Sequence, residues 1–413
     1  MSVPRSRRLL LLVVQIAAAV LLLEVALRIV APRVPSVGVL LRHEPSVDHL
    51  ARAASLPELL EMSPLGFNPL EPRYGFVLNS RGLRTSEYAD RPAAGTRRIV
   101  TLGDSFAFAS GALPHAWHWP TLLEERLGSG SPEEVEVLRL GVPATGPAFY
   151  LRLWQLEGRR LGADDAVVAV FVGNDLANHV DAPPAPDASW LSRIGRHWWG
   201  ARAVRGVWRL ARGVEDGLHG LDRRRRESGG YPLVGYADRF DPDRPTFTPE
   251  QYLRIEIERA GLLLGDDGGR FDRLWAQQAP ILISLLEEIR AAGARPVLMI
   301  IPDELQVDRQ LLETVLEATG RTAAVYDLER PQRALRALCT AEGVTCVDLL
   351  PAFREAAPRT RLYRPRDSHW NAAGNALAAE ILARELAAKA SAVPTTCRPE
   401  VGGHPGRRRS AEK

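Results

Sequence analysis

The sequence predicts an α/β/α sandwich, five parallel strands in one sheet with helices on both faces. Three observations carry that prediction. From about residue 97 onward, short apolar runs alternate with amphipathic segments. Strands separated by helices pair in parallel through right-handed crossovers. One run, AVVAVFVGND, is apolar at nearly every position and rich in valine, as a strand buried on both faces must be.

The elements follow in order. IVTLGDS reads as the first strand, ending in a turn, and WPTLLEERL as a helix. VEVLRLG is the second strand, AFYLRLWQLEGRRL a helix and AVVAVFVGND the third strand. The helix FDRLWAQQAPILISLLEEIRAAG leads to the strand RPVLMIIPD, and the helix RPQRALRALCTAEG to the strand VTCVDLL. A last helix, NAAGNALAAEILARELAAK, closes a domain expected to span residues 74–390. Residues 181–270 interrupt the rhythm and read as an insertion with helical character. In it Ile194, Trp198, Ala201, Val204, Trp208, Ala211 and Val214 recur at helical spacing, with arginines between them. Such a stripe packs on the domain's own core or lies on anionic lipid. The run RRRR at 223–226 reads as a solvated loop.

Arg5, Arg7 and Arg8 precede the apolar run 9–23, and EVALRIVAP follows it. A membrane span needs roughly 20 apolar residues. Residues 25–30 complete that length if Glu24 and Arg28 snorkel to the far interface. We read residues 1–34 as a cytoplasmic n-region and an uncleaved transmembrane signal anchor. The arginines would lie inside and the remainder in the periplasm, at the inner membrane of a bacterium. The alternatives are a cleaved signal peptide, whose best cleavage point after Ala31 is a poor match, and a buried core helix. Residues 35–73 read as a Pro-rich linker and 391–413 as a disordered basic tail. A net charge of +3 gives no electrostatic case for a nucleic-acid partner. Cys339 and Cys346 flank a helix-to-strand connection, either as a disulfide or as two ordinary thiols, and Cys397 is left over.

In a sheet of this kind functional groups gather at the carboxyl ends of the strands. Ser105 follows the first strand directly, and a serine hydroxyl needs a base to become nucleophilic. Of nine histidines, His369 has a companion carboxylate, Asp367, in a loop before the last helix, in LYRPRDSHWNAAGN. Asp367 can hold the imidazole in the productive tautomer. Acyl transfer also needs donors for an oxyanion. Gly141 ends the second strand and can offer a backbone N–H; Asn174 ends the third and can offer its amide; the Ser105 N–H makes a third donor. The plainer readings are a helix cap for Ser105, a surface histidine, a turn glycine and a capping asparagine. Asp104 and Asp175 read as turn residues. His115 and His118 are bracketed by Pro114 and Pro120 with no acidic or thiol partner near, so no metal is expected. His179 reads as a surface histidine near the cleft.

Ser105, Gly141, Asn174 and His369 stand in the order that names the SGNH hydrolases, also called the GDSL family. The GDSF, LGVPATG, GND and DSHW segments resemble its four sequence blocks, and YGFVLNSRGLR resembles a lead-in of anchored bacterial members. The resemblance covers residues 74–180 and 270–388. It implies a flavodoxin-like sandwich without cofactor, acting on esters of lipids, carbohydrates or small molecules. Two departures stand out. Asp lies two residues before His rather than three, a spacing similar to that of proteins that O-acetylate bacterial exopolysaccharides. Phe106 replaces the usual Leu after the serine. The leading expectation is a serine esterase acting on an acylated cell-surface carbohydrate or a small ester. An O-acyltransferase served by a membrane acyl-donor partner is the second, and an inactive carbohydrate-binding or assembly module the third.

Overall fold

The structure, a computed structural model, describes residues 15, 18–27, 47–63, 72–73, 76–108, 115–129, 131–178 and 243–390. Its centre is a parallel sheet of β1 (Thr96–Gly103), β2 (Glu134–Gly141), β3 (Asp165–Phe171), β4 (Arg295–Ile301) and β5 (Thr345–Asp348). Their spatial order is β2-β1-β3-β4-β5, every neighbouring pair parallel. All seven residues of β3 are buried, which is why its sequence shows no alternation of polarity.

The pleat still sorts its side chains. Ala166, Val168 and Val170 of β3 join Val100, Leu102, Leu298 and Ile300 in one core. Val167, Ala169 and Phe171 join Ile99, Val297, Met299 and Ile301 in the other. Two short helices, α1 (Val47–Arg52) and α2 (Leu56–Glu61), precede the sheet. The remaining helices are α3 (Ser105–Phe108), α4 (Trp119–Gly128), α5 (Pro147–Leu156), α6 (Pro249–Ala260), α7 (Arg270–Ala291), α8 (Glu304–Val307), α9 (Arg309–Thr319), α10 (Arg330–Glu342), α11 (Leu350–Ala356) and α12 (Ala372–Ala390). Helices α5, α7 and α10 cover the first face, and α4, α11 and α12 the second. This is the expected three-layer sandwich.

Several expectations change. Part of the supposed linker is structural, because Leu50, Leu59 and Leu60 of α1 and α2 are buried in the first core. Helices of six residues carry too few turns to show a sequence period. The insertion contributes α6 near its end, which forms a small core with α8 and α9 through Ala260, Leu263, Leu305 and Val315. Cys339 and Cys346 are free thiols rather than a disulfide. A hydrogen bond with Cys346, then burial, pushes the Cys339 thiol up. At the N-terminus residues 18–27 are helical, with Leu21, Leu22, Leu23 and Val25 exposed. Among the described residues no helix is long and apolar enough to cross a membrane. The rest of the expected anchor, the Trp/Arg stripe, the RRRR run, His179, Cys397 and the tail lie outside the described residues.

The strand order reverses direction between β1 and β3. In open α/β sheets that switch point opens a crevice at the carboxyl ends of the strands. Ser105 follows β1 and Asn174 follows β3, so both flank it.

Candidate active site

The position of Ser105 is a local consequence of how β1 ends. Asp104 is fully buried, and its Oδ1 accepts from the Phe106 N–H at 2.9 Å. The Phe108 N–H donates to the Asp104 carbonyl at 3.0 Å, closing the single turn of α3. A Cβ on Gly103 would stand 2.8 Å from Ala107 Cβ and 2.9 Å from the Ala169 carbonyl, so only glycine lets the helix fold back here. The Phe106 carbonyl accepts from Trp119 Nε1 at 3.0 Å and faces His118 Nε2 at 2.9 Å. His118 is thus a buried structural group, and burial, then Arg84, holds its pKa far below the usual histidine range. The Phe106 ring packs against the His369 imidazole at 5.2 Å between centroids, and against Phe171 and Trp370. The departure from Leu gives the imidazole an aromatic wall.

His369 Nε2 lies 2.9 Å from Ser105 Oγ, and His369 Nδ1 lies 2.7 Å from Asp367 Oδ1. With the Nδ1 proton donated to Asp367, Nε2 is left to accept the serine proton. The other Asp367 oxygen accepts from Arg364 Nη1 and from the Thr246 hydroxyl. Burial pushes the Asp367 carboxyl up. The hydrogen bond and charge of His369, the Arg364 charge and the Thr246 hydroxyl outweigh burial and hold it below the usual carboxylate range.

The loop carrying these groups is closed by an antiparallel bridge between Tyr363 and Trp370 and by the Arg364 N–H on the His369 carbonyl at 2.9 Å. Within it Arg366 (φ 46°) and Ser368 (φ 59°) are left-handed, at about 1–2 kcal/mol each for residues that carry a Cβ. The left-handed Ser368 lets Asp367 and His369 meet across one intervening residue, and so accounts for the short spacing.

Asn174 opens a short turn after β3, but its side chain does not cap that turn. Its Oδ1 is buried and has no hydrogen-bond partner among the described residues, so the plainer reading as a capping residue fails. Gly141 is placed differently from the expectation. The Val142 N–H donates to the Gly103 carbonyl at 2.9 Å, and successive N–H groups of a strand point to opposite sides. The Gly141 N–H therefore points away from β1 and from the turn after it that carries Ser105. What fixes glycine at 141 is packing, since a Cβ would stand 2.3 Å from Phe108 N and 2.4 Å from the Ala107 carbonyl carbon. The turn that Gly141 opens contains Ala144 at φ 57°. It leans on the Asn174 turn, because the Thr145 carbonyl accepts from Asn178 Nδ2 at 3.0 Å.

Two buried acidic groups underlie the site. Ser105 Oγ is 3.0 Å from Asp104 Oδ2, and the Tyr150 hydroxyl donates to Asp175 at 2.8 Å. Burial pushes both aspartates up, Asp175 further raised by Asp104. The Phe171 N–H donates to Asp175 at 2.8 Å, which gives Asp175 the turn-holding role expected of it. Arg259 lies 3.2 Å from Glu256 and 3.6 Å from Asp303, with its guanidinium over the Phe171 ring. Thr246, Glu256, Arg259 and Arg364 escaped the sequence reading. They lie outside the four blocks, although Arg364 stands three residues before Asp367. Among the described residues no His, Cys, Asp and Glu group is arranged to hold a metal.

The five-stranded parallel sheet and its switch point match the SGNH hydrolase fold. Residues 271–402, about a third of the chain, match the family described as "SGNH hydrolase-like domain, acetyltransferase AlgX". Over those residues the chain is similar to that SGNH hydrolase-like acetyltransferase family. The match includes Asp367 and His369 but not Ser105, Gly141 or Asn174. Comparison with curated proteins gave no match. Similar solved structures include TesA, at 14% identity and TM-score 0.34, over 70% of this chain and 98% of that one. A lipase/acylhydrolase from Enterococcus faecalis has 14% identity and TM-score 0.37, over 71% and 96%. The acetyl xylan esterase AlAXEase has 15% identity and TM-score 0.34, over 69% and 97%.

Proposed function

We propose that the protein is a serine acyl-enzyme catalyst acting on O-acyl esters, in the first instance an esterase for short acyl groups on a carbohydrate. The observation that carries this is the continuous chain from Ser105 Oγ through the His369 imidazole to Asp367. In this reading His369 Nε2 takes the serine proton as Oγ attacks the ester carbonyl, then returns it to the leaving alcohol. Asp367 stays ionised and stabilises the imidazolium. The oxyanion is met by the Ser105 N–H, the Asn174 amide and an N–H of the 142–146 turn, in place of Gly141 itself. Water then hydrolyses the acyl-enzyme, and His369 acts as base a second time.

A second reading replaces that water with a sugar hydroxyl and makes the protein an O-acyltransferase for an extracytoplasmic polysaccharide. The family match favours it, since the description names an acetyltransferase and the matched residues include the Asp-x-His loop. We also propose that residues 1–34 tether the domain to a membrane, supported by the arginine-flanked apolar run and the exposed leucines at 21–23.

The test is hydrolysis of p-nitrophenyl acetate, butyrate and octanoate by a version lacking residues 1–34, beside its Ser105→Ala variant. Serine-dependent turnover that falls with chain length supports the short-acyl reading; turnover unchanged in the variant overturns it. Adding oligosaccharide acceptors separates the two readings by the ratio of transfer to release. Recovery of the full chain in the soluble fraction would overturn the tether.

A further inference from the structure

We infer that residues 246–256, at the end of the insertion, form a clasp that holds the Asp367–His369 loop in its working geometry, with Thr246 and Glu256 as positioning residues. The inference rests on the proposed roles of Asp367 and His369 and adds what keeps them in place.

The loop needs such support. Arg366 and Ser368 are both left-handed without being glycine, and conformations of that kind persist only where the surroundings over-determine them. The loop's own closure acts at its base, through the Tyr363–Trp370 bridge and the Arg364 N–H. Its tip, residues 365–368, is held by the clasp at every position. The Thr246 N–H donates to the Pro365 carbonyl at 3.1 Å, and the Phe247 N–H to the Arg366 carbonyl at 3.0 Å. Arg366 Nε returns a bond to the Phe247 carbonyl at 2.8 Å. The Thr246 hydroxyl donates to Asp367 Oδ2, and the Ser368 hydroxyl to Glu256 Oε1 at 3.2 Å. Thr246 Oγ1 and Arg364 Nη1 occupy the Asp367 oxygen that His369 does not use, which leaves Oδ1 for the imidazole.

The clasp is itself anchored. Thr248 and Gln251 form a capping box that starts α6 immediately after the two residues that pair with the loop. Further along α6, the Tyr252 hydroxyl donates to Glu304, and Arg259 ties Glu256 to Asp303 at the carboxyl end of β4. Rigid contact therefore runs from the sheet through α6 to the triad acid.

The test uses the full chain with Thr246→Val, which keeps the shape and removes the hydroxyl, and Thr246→Ser, which keeps the hydroxyl. Thr246→Val should lower kcat for p-nitrophenyl acetate about tenfold with KM nearly unchanged, since a small misplacement of a catalytic group is costly. Thr246→Ser should restore most of it. In an Asp367→Asn background Thr246→Val should have little further effect. The low-field proton resonance of His369 Nδ1–H, recorded in a Ser105→Ala background, should move or broaden on Thr246→Val, a reading that general loss of stability in a folded sample would not produce. Wild-type kcat and an unmoved resonance in Thr246→Val would overturn the clasp. Should Thr246→Val not fold, Ser368→Ala, which removes the bond to Glu256, decides in its place with the same two measurements. Full activity in Ser105→Ala would instead overturn the underlying catalytic reading, whatever the Thr246 variants do.

Discussion

Ser105 is placed by its immediate chain neighbours, whereas Asp367 depends on Thr246, 121 positions earlier, and on a base that meets its serine across 264 positions. On the Ser105 side a strand ends, an aspartate caps the turn, and two glycines at 103 and 141 allow α3 to lie against β1 and β2. On the base side the loop contains two left-handed non-glycine residues and is held by contacts from α6 and the segment before it. One side is built by steric necessity, the other by tertiary restraint. Changes on the first side should therefore cost folding, and changes on the second should cost rate.

The largest expected effect falls on both sides at once. Ser105→Ala or His369→Ala should lower kcat by about 10⁶-fold, and the double variant should be no worse than either, because the two act as a unit. Additive losses in p-nitrophenyl ester assays would break the unit. Asp367→Asn comes next, at about 10⁴-fold in kcat, by favouring the wrong imidazole tautomer. A loss of tenfold or less would mean that the charge of Asp367 matters little and an amide at 367 holds the histidine as well.

Gly141→Ala tests the steric side. Its Cβ would meet backbone atoms of α3, which can yield only by moving the nucleophile's helix. We expect a loss of about 1–3 kcal/mol in stability by denaturant unfolding. An unchanged midpoint would show that α3 is not confined as described.

The smallest effect concerns pH. Burial pushes the Glu304 carboxyl up to about 8, with Asp303 and Asp308 adding to it and the Tyr252 hydrogen bond opposing. The folded state thus holds a proton that the unfolded chain releases above 4.5, the ordinary glutamate value. That contribution is complete below 4.5 and is lost as pH rises toward 8. Asp367 has the opposite sign: its lowered pKa gives stability that is present above the ordinary value of 3.8 and lost as pH falls through the folded value. Between pH 5 and 8 Glu304 contributes in the same direction as Asp104 and Asp175, which burial also pushes up. Glu304→Gln should reduce the fall in Tm over that range by several degrees. An identical fall in both proteins would place the titration elsewhere.

The legible parts of this protein are those in which chemistry and chain neighbourhood coincide. The apolar runs of β1, β3 and β4 announced a parallel sheet, and Ser105, Asn174 and His369 each stood beside a strand end or helix start. Helices α8 and α11 were missed because elements of four and seven residues show no period, whereas α9 was missed despite its amphipathic pattern. Gly141 was selected for an N–H, but its reason is the space its missing Cβ leaves, which no single sequence can show. The sequence by itself determined the layers, the order of the blocks and the candidate nucleophile and base, since periodicity and strand-end turns are local properties. Only the tertiary structure decided which way the Gly141 N–H points, why Asp can stand two residues from His, and that Thr246 and Glu256 reach the triad loop. Those facts depend on backbone direction and on contacts between distant segments, and neither leaves a mark on neighbouring residues.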